Sequence, residues 1–185
     1  MKNLIIPVFL LFFISCSDSR SGGCIDVAAV NYENWADFDD GSCNYIADVV
    51  FFYDDYTDDE LSDYNDFLWG AIDRLDYYIE EEPGTFIQVG SEYPTPLYDE
   101  FGNFIRNDFY YSGIPLCYQD TYVTSPIEWY THSSTTINYM VYGVHEVDSP
   151  LGVMEFETIV DEYSFTLYAN ECAAVQITFL NKKRE

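Results

Sequence analysis

Three residue classes in this chain have chemistry beyond folding. Five cysteines, at positions 16, 24, 43, 117 and 172, can carry lipid, pair as disulfides or bind metal. Thirty-three Asp and Glu side chains can ligate a divalent cation or act as acid and base, and two histidines, His132 and His145, can ligate zinc or move protons. Zinc held by four thiolates needs close Cys-x-x-Cys pairs, and the cysteine spacing has none. Neither histidine belongs to a His-x-His or His-Glu-x-x-His pattern. The chain has no Gly-x-Ser-x-Gly nucleophile elbow and no glycine-rich phosphate loop ahead of a helix. A glycosidase needs two carboxylates flanking one bond, and sequence alone nominates no pair. No catalytic constellation emerges, so the expectation is a protein without enzymatic activity.

Cys16 has the most informative surroundings. Lys2 gives one positive charge, and Leu4 to Ile14 is an unbroken apolar run of 11 residues. A membrane span needs about 20 residues, so the run suits the apolar core of an export signal instead. Small Ser15 then precedes Cys16, and Ser17 to Gly22 turns abruptly polar. Phe13-Ile14-Ser15-Cys16 resembles a bacterial lipobox, with Phe13 where leucine is usual. The resemblance implies cleavage before Cys16, lipid on its thiol and a membrane as partner. Two or three acyl chains anchor stably where one is marginal.

The formal net charge is −26, and between Gly22 and Asn181 the only cations are Arg74 and Arg106. Such a surface repels nucleic-acid phosphates. Eighteen tyrosines, 14 phenylalanines and 3 tryptophans argue for a folded core in spite of the charge. With Cys16 set aside, four cysteines remain, an even number in an exported chain, and three pairings are open. The favoured one is Cys24–Cys43 with Cys117–Cys172. The first bridge brackets a polar segment with too little core of its own, and the second ties the C-terminal strands to the middle of the domain. Loop-closure entropy gives roughly 3 and 4 kcal/mol respectively.

Gly23-Cys24-Ile25-Asp26, Ala29, Asn31-Tyr32, Ala36 and Asp39-Asp40-Gly41-Ser42-Cys43 together resemble a short cysteine-bracketed module of exported Bacteroidota proteins. The resemblance supports the Cys24–Cys43 bridge and implies no catalytic role. An EF-hand is excluded because Phe38 and Ala36 fall on ligand positions before Gly41. Asp26, Asp37, Asp39 and Asp40 remain a candidate calcium set outside that motif, and calcium is the only cofactor the sequence suggests. The plainer alternative is a tight turn at Asp39-Asp40-Gly41 over a small core of Tyr32 and Trp35.

The elements that must position these residues are strands. Ile46–Tyr53, Leu75–Ile79, Thr85–Val89, Phe109–Tyr111, Ile127–Thr131, Ile137–Val147, Val153–Val160, Phe165–Tyr168 and Ala174–Phe179 are β-branched, aromatic or alternating. Glu80–Gly84, Asp148–Gly152 and Asp161-Glu162 read as turns, Glu92–Asn107 as an excursion or decorated hairpin, and Ile114–Cys117 as a pinned loop. Asp54–Asp66 reads as a loop or helical turn. The expected fold is all-β, a single immunoglobulin-like β-sandwich. Asn170-Glu171-Cys172 before a final strand also resembles small all-β Bacteroidota lipoproteins, a class generally without assigned activity.

The organisation read from sequence is a lipoprotein signal peptide over 1–15, a lipid-anchored tether over 16–22, a disulfide-closed module over 23–45, a β-sandwich over 46–181 and a basic tail over 182–185. The expected function is a structural or interaction protein of the cell envelope, at the outer membrane on its periplasmic or surface face. The alternative is a carbohydrate- or other ligand-binding module, with Trp69, Trp129 and Tyr110-Tyr111 as stacking candidates.

Overall fold

The computed structural model describes residues 20–66, 68–109, 115, 117 and 123–179. The described residues open with a short parallel pair, β1 (Gly22–Gly23) and β2 (Phe38–Asp39). β3 (Tyr45–Tyr53) follows and is almost wholly buried. Of the loop or helical turn expected over Asp54–Asp66, the helical alternative holds, as helix α1 (Asp55–Asp63). Its start is set by Asp54, whose carboxylate accepts the Thr57 amide at 2.9 Å. Asp55 and Asp58 in the first turn suit the positive end of the helix dipole. Only Thr57, Leu61 and Ser62 are buried, too narrow an apolar stripe to signal a helix by periodicity.

Two short strands, β4 (Asn65–Asp66) and β5 (Gly70–Ala71), lead to the hairpin of β6 (Arg74–Glu82) and β7 (Thr85–Glu92), which turns at Pro83-Gly84. The excursion is a hairpin, β8 (Thr95–Tyr98) with β9 (Phe104–Asp108). Phe109 lies just after β9 rather than in a strand of its own, and Tyr110-Tyr111 lie outside the described residues. β10 (Thr124–Trp129), β11 (Ser134–Ser149), β12 (Gly152–Tyr168) and β13 (Cys172–Ile177) complete the strands among the described residues.

The expected turn at Asp161-Glu162 is not a turn. β12 runs through it, and the β11–β12 register slips between Val141 and Tyr142, so that Val141 faces Asp161 and Tyr142 faces Ile159. Val160 is the extra residue of a β-bulge, which re-aims a strand without ending it. Asp161 is turned inward there and accepts the Tyr139 hydroxyl at 2.8 Å.

The seven long strands form two open sheets, a β-sandwich with the four-and-three division of a constant-type immunoglobulin domain and its own strand order. One sheet runs β12-β11-β6-β7, all antiparallel. The other runs β10-β3-β13, with β13 parallel to β3. Phe51 of β3 joins the layers, its ring centroid 5.2 Å from that of Tyr77 and 5.7 Å from that of Tyr139. Val49, Leu75, Val141, Val160, Leu167 and Ile177 complete the centre of the core, each fully buried. Gly143 permits close packing, because a Cβ there would come within 2.8 Å of Ile72 Cδ1.

Phe51→Ala should therefore cost about 3–5 kcal/mol, as for other deleted core rings. It should lower the urea midpoint with little change in slope; a loss below about 1 kcal/mol would mean that Phe51 does not bridge the layers.

Candidate functional site

The four cysteines after Cys16 pair as favoured from the sequence. Cys24 bonds Cys43 with Cα atoms 4.8 Å apart, and Cys117 bonds Cys172 with Cα atoms 5.8 Å apart. Cys16 lies outside the described residues. No helix among the described residues is long and apolar enough to cross a membrane.

The four aspartates proposed for calcium do not converge on one point. Asp26 accepts the Ala28 amide at 2.9 Å and the Tyr45 hydroxyl at 2.9 Å. Asp37 accepts the Ser21 amide at 3.1 Å. Asp39 and Asp40 accept the amides of Gly41 and Ser42, at 2.8 and 3.0 Å. The Ser42 bonds hold the Asp40 carboxyl below its usual range. Among the described residues no group of three or more His, Cys, Asp and Glu side chains is arranged to hold a metal ion. The acids instead build the Asp39-Asp40-Gly41 turn, where Gly41 adopts φ +82°. The small core beneath it is the Cys24–Cys43 bridge with Ala29, while Tyr32 and Trp35 point outward.

The stacking candidates also divide. Trp129 is core: it is 7% exposed, its ring lies 5.9 Å from that of Tyr45, and its Nε1 donates to the His132 carbonyl at 2.5 Å. Trp69 lies flat on Phe156 with centroids 3.6 Å apart, so one of its faces is taken. His145 is fully buried, with Nδ1 donating to the Ala71 carbonyl at 2.9 Å and Nε2 accepting from Thr158 Oγ1 at 3.2 Å. Both its ring nitrogens are thus occupied, and His132 is exposed.

The feature the sequence did not reveal is a groove of about 610 Å³ between the edges of β7 and β10. Both are edge strands, one of each sheet. Ile79, Ile87, Val89, Ile127 and Ile137 make its apolar floor, and Glu80, Glu81, Glu82 and Glu128 line it without any basic side chain. Its size falls in the range of small-ligand sites. Pro126 on β10 was the available signal, because proline inside a strand run marks a sheet edge. Glu80 is held by the Gly84 amide at 2.5 Å and by Asn138, which keep its carboxyl below its usual range.

A second group of acids lies inside. Glu92 accepts the hydroxyls of Tyr53 at 2.5 Å and Tyr77 at 2.7 Å, joining β3 of one sheet to β6 and β7 of the other. Burial pushes the Glu92 carboxyl up, against the pull of the two hydroxyls. Asp161, with Tyr139 on one side, also accepts the Thr178 amide at 3.0 Å. On the outer face of the larger sheet, Arg74 reaches Asp76 at 3.0 Å, Glu146 at 2.8 Å and Glu155 at 2.9 Å. Glu92 and Asp161 each join separate strands through these bonds, so they read as structural clasps.

No protein-family model matches the chain, and neither a curated protein nor a solved structure matches it.

The Glu92 shift has a definite sign. A carboxyl raised on folding binds more protons in the folded than in the unfolded state, so its contribution to stability falls as pH rises from the ordinary glutamate value through the raised one. Glu92→Gln should lack that component. Compared by urea midpoint across mildly acidic pH, the wild type should lose stability relative to the variant as pH rises; parallel curves would remove the claim.

Proposed function

We propose that this chain is an exported lipoprotein of the cell envelope, held in the membrane by lipid on Cys16, with its sandwich serving as a non-enzymatic structural or interaction protein. The observation that carries the reading is cysteine accounting. Five cysteines are present, four are consumed in two bridges, and the one outside them is Cys16, directly after an apolar run and a small residue. Two disulfides suit an exported chain. The likeness of residues 23–43 to a module of exported Bacteroidota proteins supports the same setting, with the outer membrane as the expected location. In the full chain made in a bacterium that processes lipoproteins, the protein should sediment with membranes, and Cys16→Ala should move it to the soluble fraction. A wild type that is soluble, or a variant that stays membrane-bound, would sink the anchor.

The groove between β7 and β10 favours a second reading, a ligand-binding module. Its floor is largely aliphatic, Trp129 in its lining is buried, and Tyr130 is the exposed aromatic at its edge. Four glutamates and no cation favour an apolar body bearing positive charge, such as a peptide alternating leucine and lysine. That peptide should bind saturably, and the triple change Glu81→Gln, Glu82→Gln, Glu128→Gln should weaken it roughly tenfold, about 1.4 kcal/mol. Asp55→Asn with Asp59→Asn on exposed α1 should not. Equal weakening by both sets would reduce the binding to bulk charge.

A further inference from the structure

The module over 23–45 wears its apolar side chains outside. Ile25, Val27, Val30, Tyr32, Trp35 and Phe38 are all exposed, Trp35 at 59% and Phe38 at 45%. Its interior is the Cys24–Cys43 bridge and Ala29. Bonding two cysteines closes so small a unit without a hydrophobic core, which leaves the aromatics free for another use. Scattered exposed apolar residues are ordinary, but a concentration of them on so short a stretch marks a contact surface.

Where this surface lies is set by the tether. The Ser21 carbonyl accepts the Asp37 amide at 2.8 Å, and the Ser21 amide donates to the Asp37 carboxylate at 3.1 Å. Gly22–Gly23 then pairs with Phe38–Asp39, and a Cβ on Gly22 would stand 3.0 Å from the tip of the Phe38 ring. The turn from Glu33 to Ala36, closed by a 3.1 Å amide–carbonyl bond, carries Trp35, and its Ala36 Cβ abuts Gly23. The segment 33–38 is therefore wrapped around the strand on which the tether ends. From Cys16 to Ser21 the chain can span at most about 18 Å.

We propose that the Trp35–Phe38 segment is a membrane contact, seated in the headgroup layer of a zwitterionic phospholipid surface beside the lipid on Cys16. The proposal rests on the anchoring of Cys16. Tethering supplies the closeness that a small aromatic contact lacks by itself. Tryptophan is the side chain best suited to the membrane–water boundary, with an apolar ring and a polar N–H. The lipid class follows from charge. Residues 21–45 hold Asp26, Glu33, Asp37, Asp39 and Asp40 and no Lys or Arg, so an anionic surface would repel the segment. Contact would also orient the sandwich. The module is fixed to it by Asn170 Nδ2 donating to the Ala28 carbonyl at 2.8 Å and by the hydroxyl of Tyr45, the first residue of β3, donating to Asp26 at 2.9 Å.

The test uses the lipidated full chain in phosphatidylcholine–phosphatidylethanolamine vesicles containing lipid brominated near the headgroup. Flotation reports the anchor and quenching of tryptophan fluorescence reports the contact. The wild type should float and be quenched. Trp35→Phe should float and lose most of the quenching, Phe38→Ala should reduce it, and added phosphatidylglycerol should weaken it. A wild type that floats with no quenching, or with quenching unchanged in Trp35→Phe, overturns the contact alone. A wild type that does not float overturns the anchor and the contact with it.

Discussion

A chain that buries carboxylates while holding almost no basic side chains has to find them other partners, and here the partners are tyrosine hydroxyls. Tyr53 and Tyr77 donate to Glu92, Tyr139 donates to Asp161, and Tyr45 donates to Asp26. Among the described residues the cations are Arg20, Arg74 and Arg106. A tyrosine can satisfy a carboxylate while its ring fills the core, a combination that lysine does not offer. Each bond also joins parts of the fold. Glu92 ties the two sheets, Asp161 ties β12 to the segment after β13, and Asp26 ties the module to β3.

The rest of the architecture follows from holding two open sheets together against a large negative charge. Phe51, Tyr77 and Tyr139 form the contact between layers, and the same tyrosines carry the hydroxyls that meet the acids. Acids that do not enter this arrangement stay at the surface, where water screens their repulsion. Buried Asp76 is the exception, paired with Arg74, which also reaches Glu146 and Glu155; the Glu155 and Asp76 carboxylates hold the Arg74 proton more tightly than usual. Where the edges of β7 and β10 leave the sandwich open, aliphatic floor and glutamates meet in the groove.

Much of the fold was readable in sequence because its signals are local. Val153–Val160 alternates apolar and acidic, and it lies in β12; Ile46–Tyr53 is β-branched and aromatic, and it is the buried β3. The disulfide pairing followed from an even count and from which segments lacked a core. What escaped depends on tertiary context. Asp161-Glu162 has the composition of a turn, yet Tyr139 draws Asp161 inward and the strand continues through a bulge. Asp55–Asp63 is too acidic to show a helical stripe, and its cap at Asp54 is what sets it. Trp129 and Trp35 are the same residue type with opposite fates, one stacked on Tyr45 in the core and the other exposed ahead of β2. The groove joins residues distant in sequence, so only Pro126 announced an edge there.

The proposed anchor at Cys16 would decide how the other features are used, since it would put residues 23–45 at a membrane and the sandwich beyond them. The intact mass of the protein purified from envelopes, without reduction, tests it most directly. The expected species is a chain beginning at Cys16, carrying the mass of a diacylglyceryl group with or without a further acyl chain and lacking the four hydrogens lost to two disulfides. A chain that retains residues 1–15, or one that begins at or after residue 16 without lipid, would contradict it.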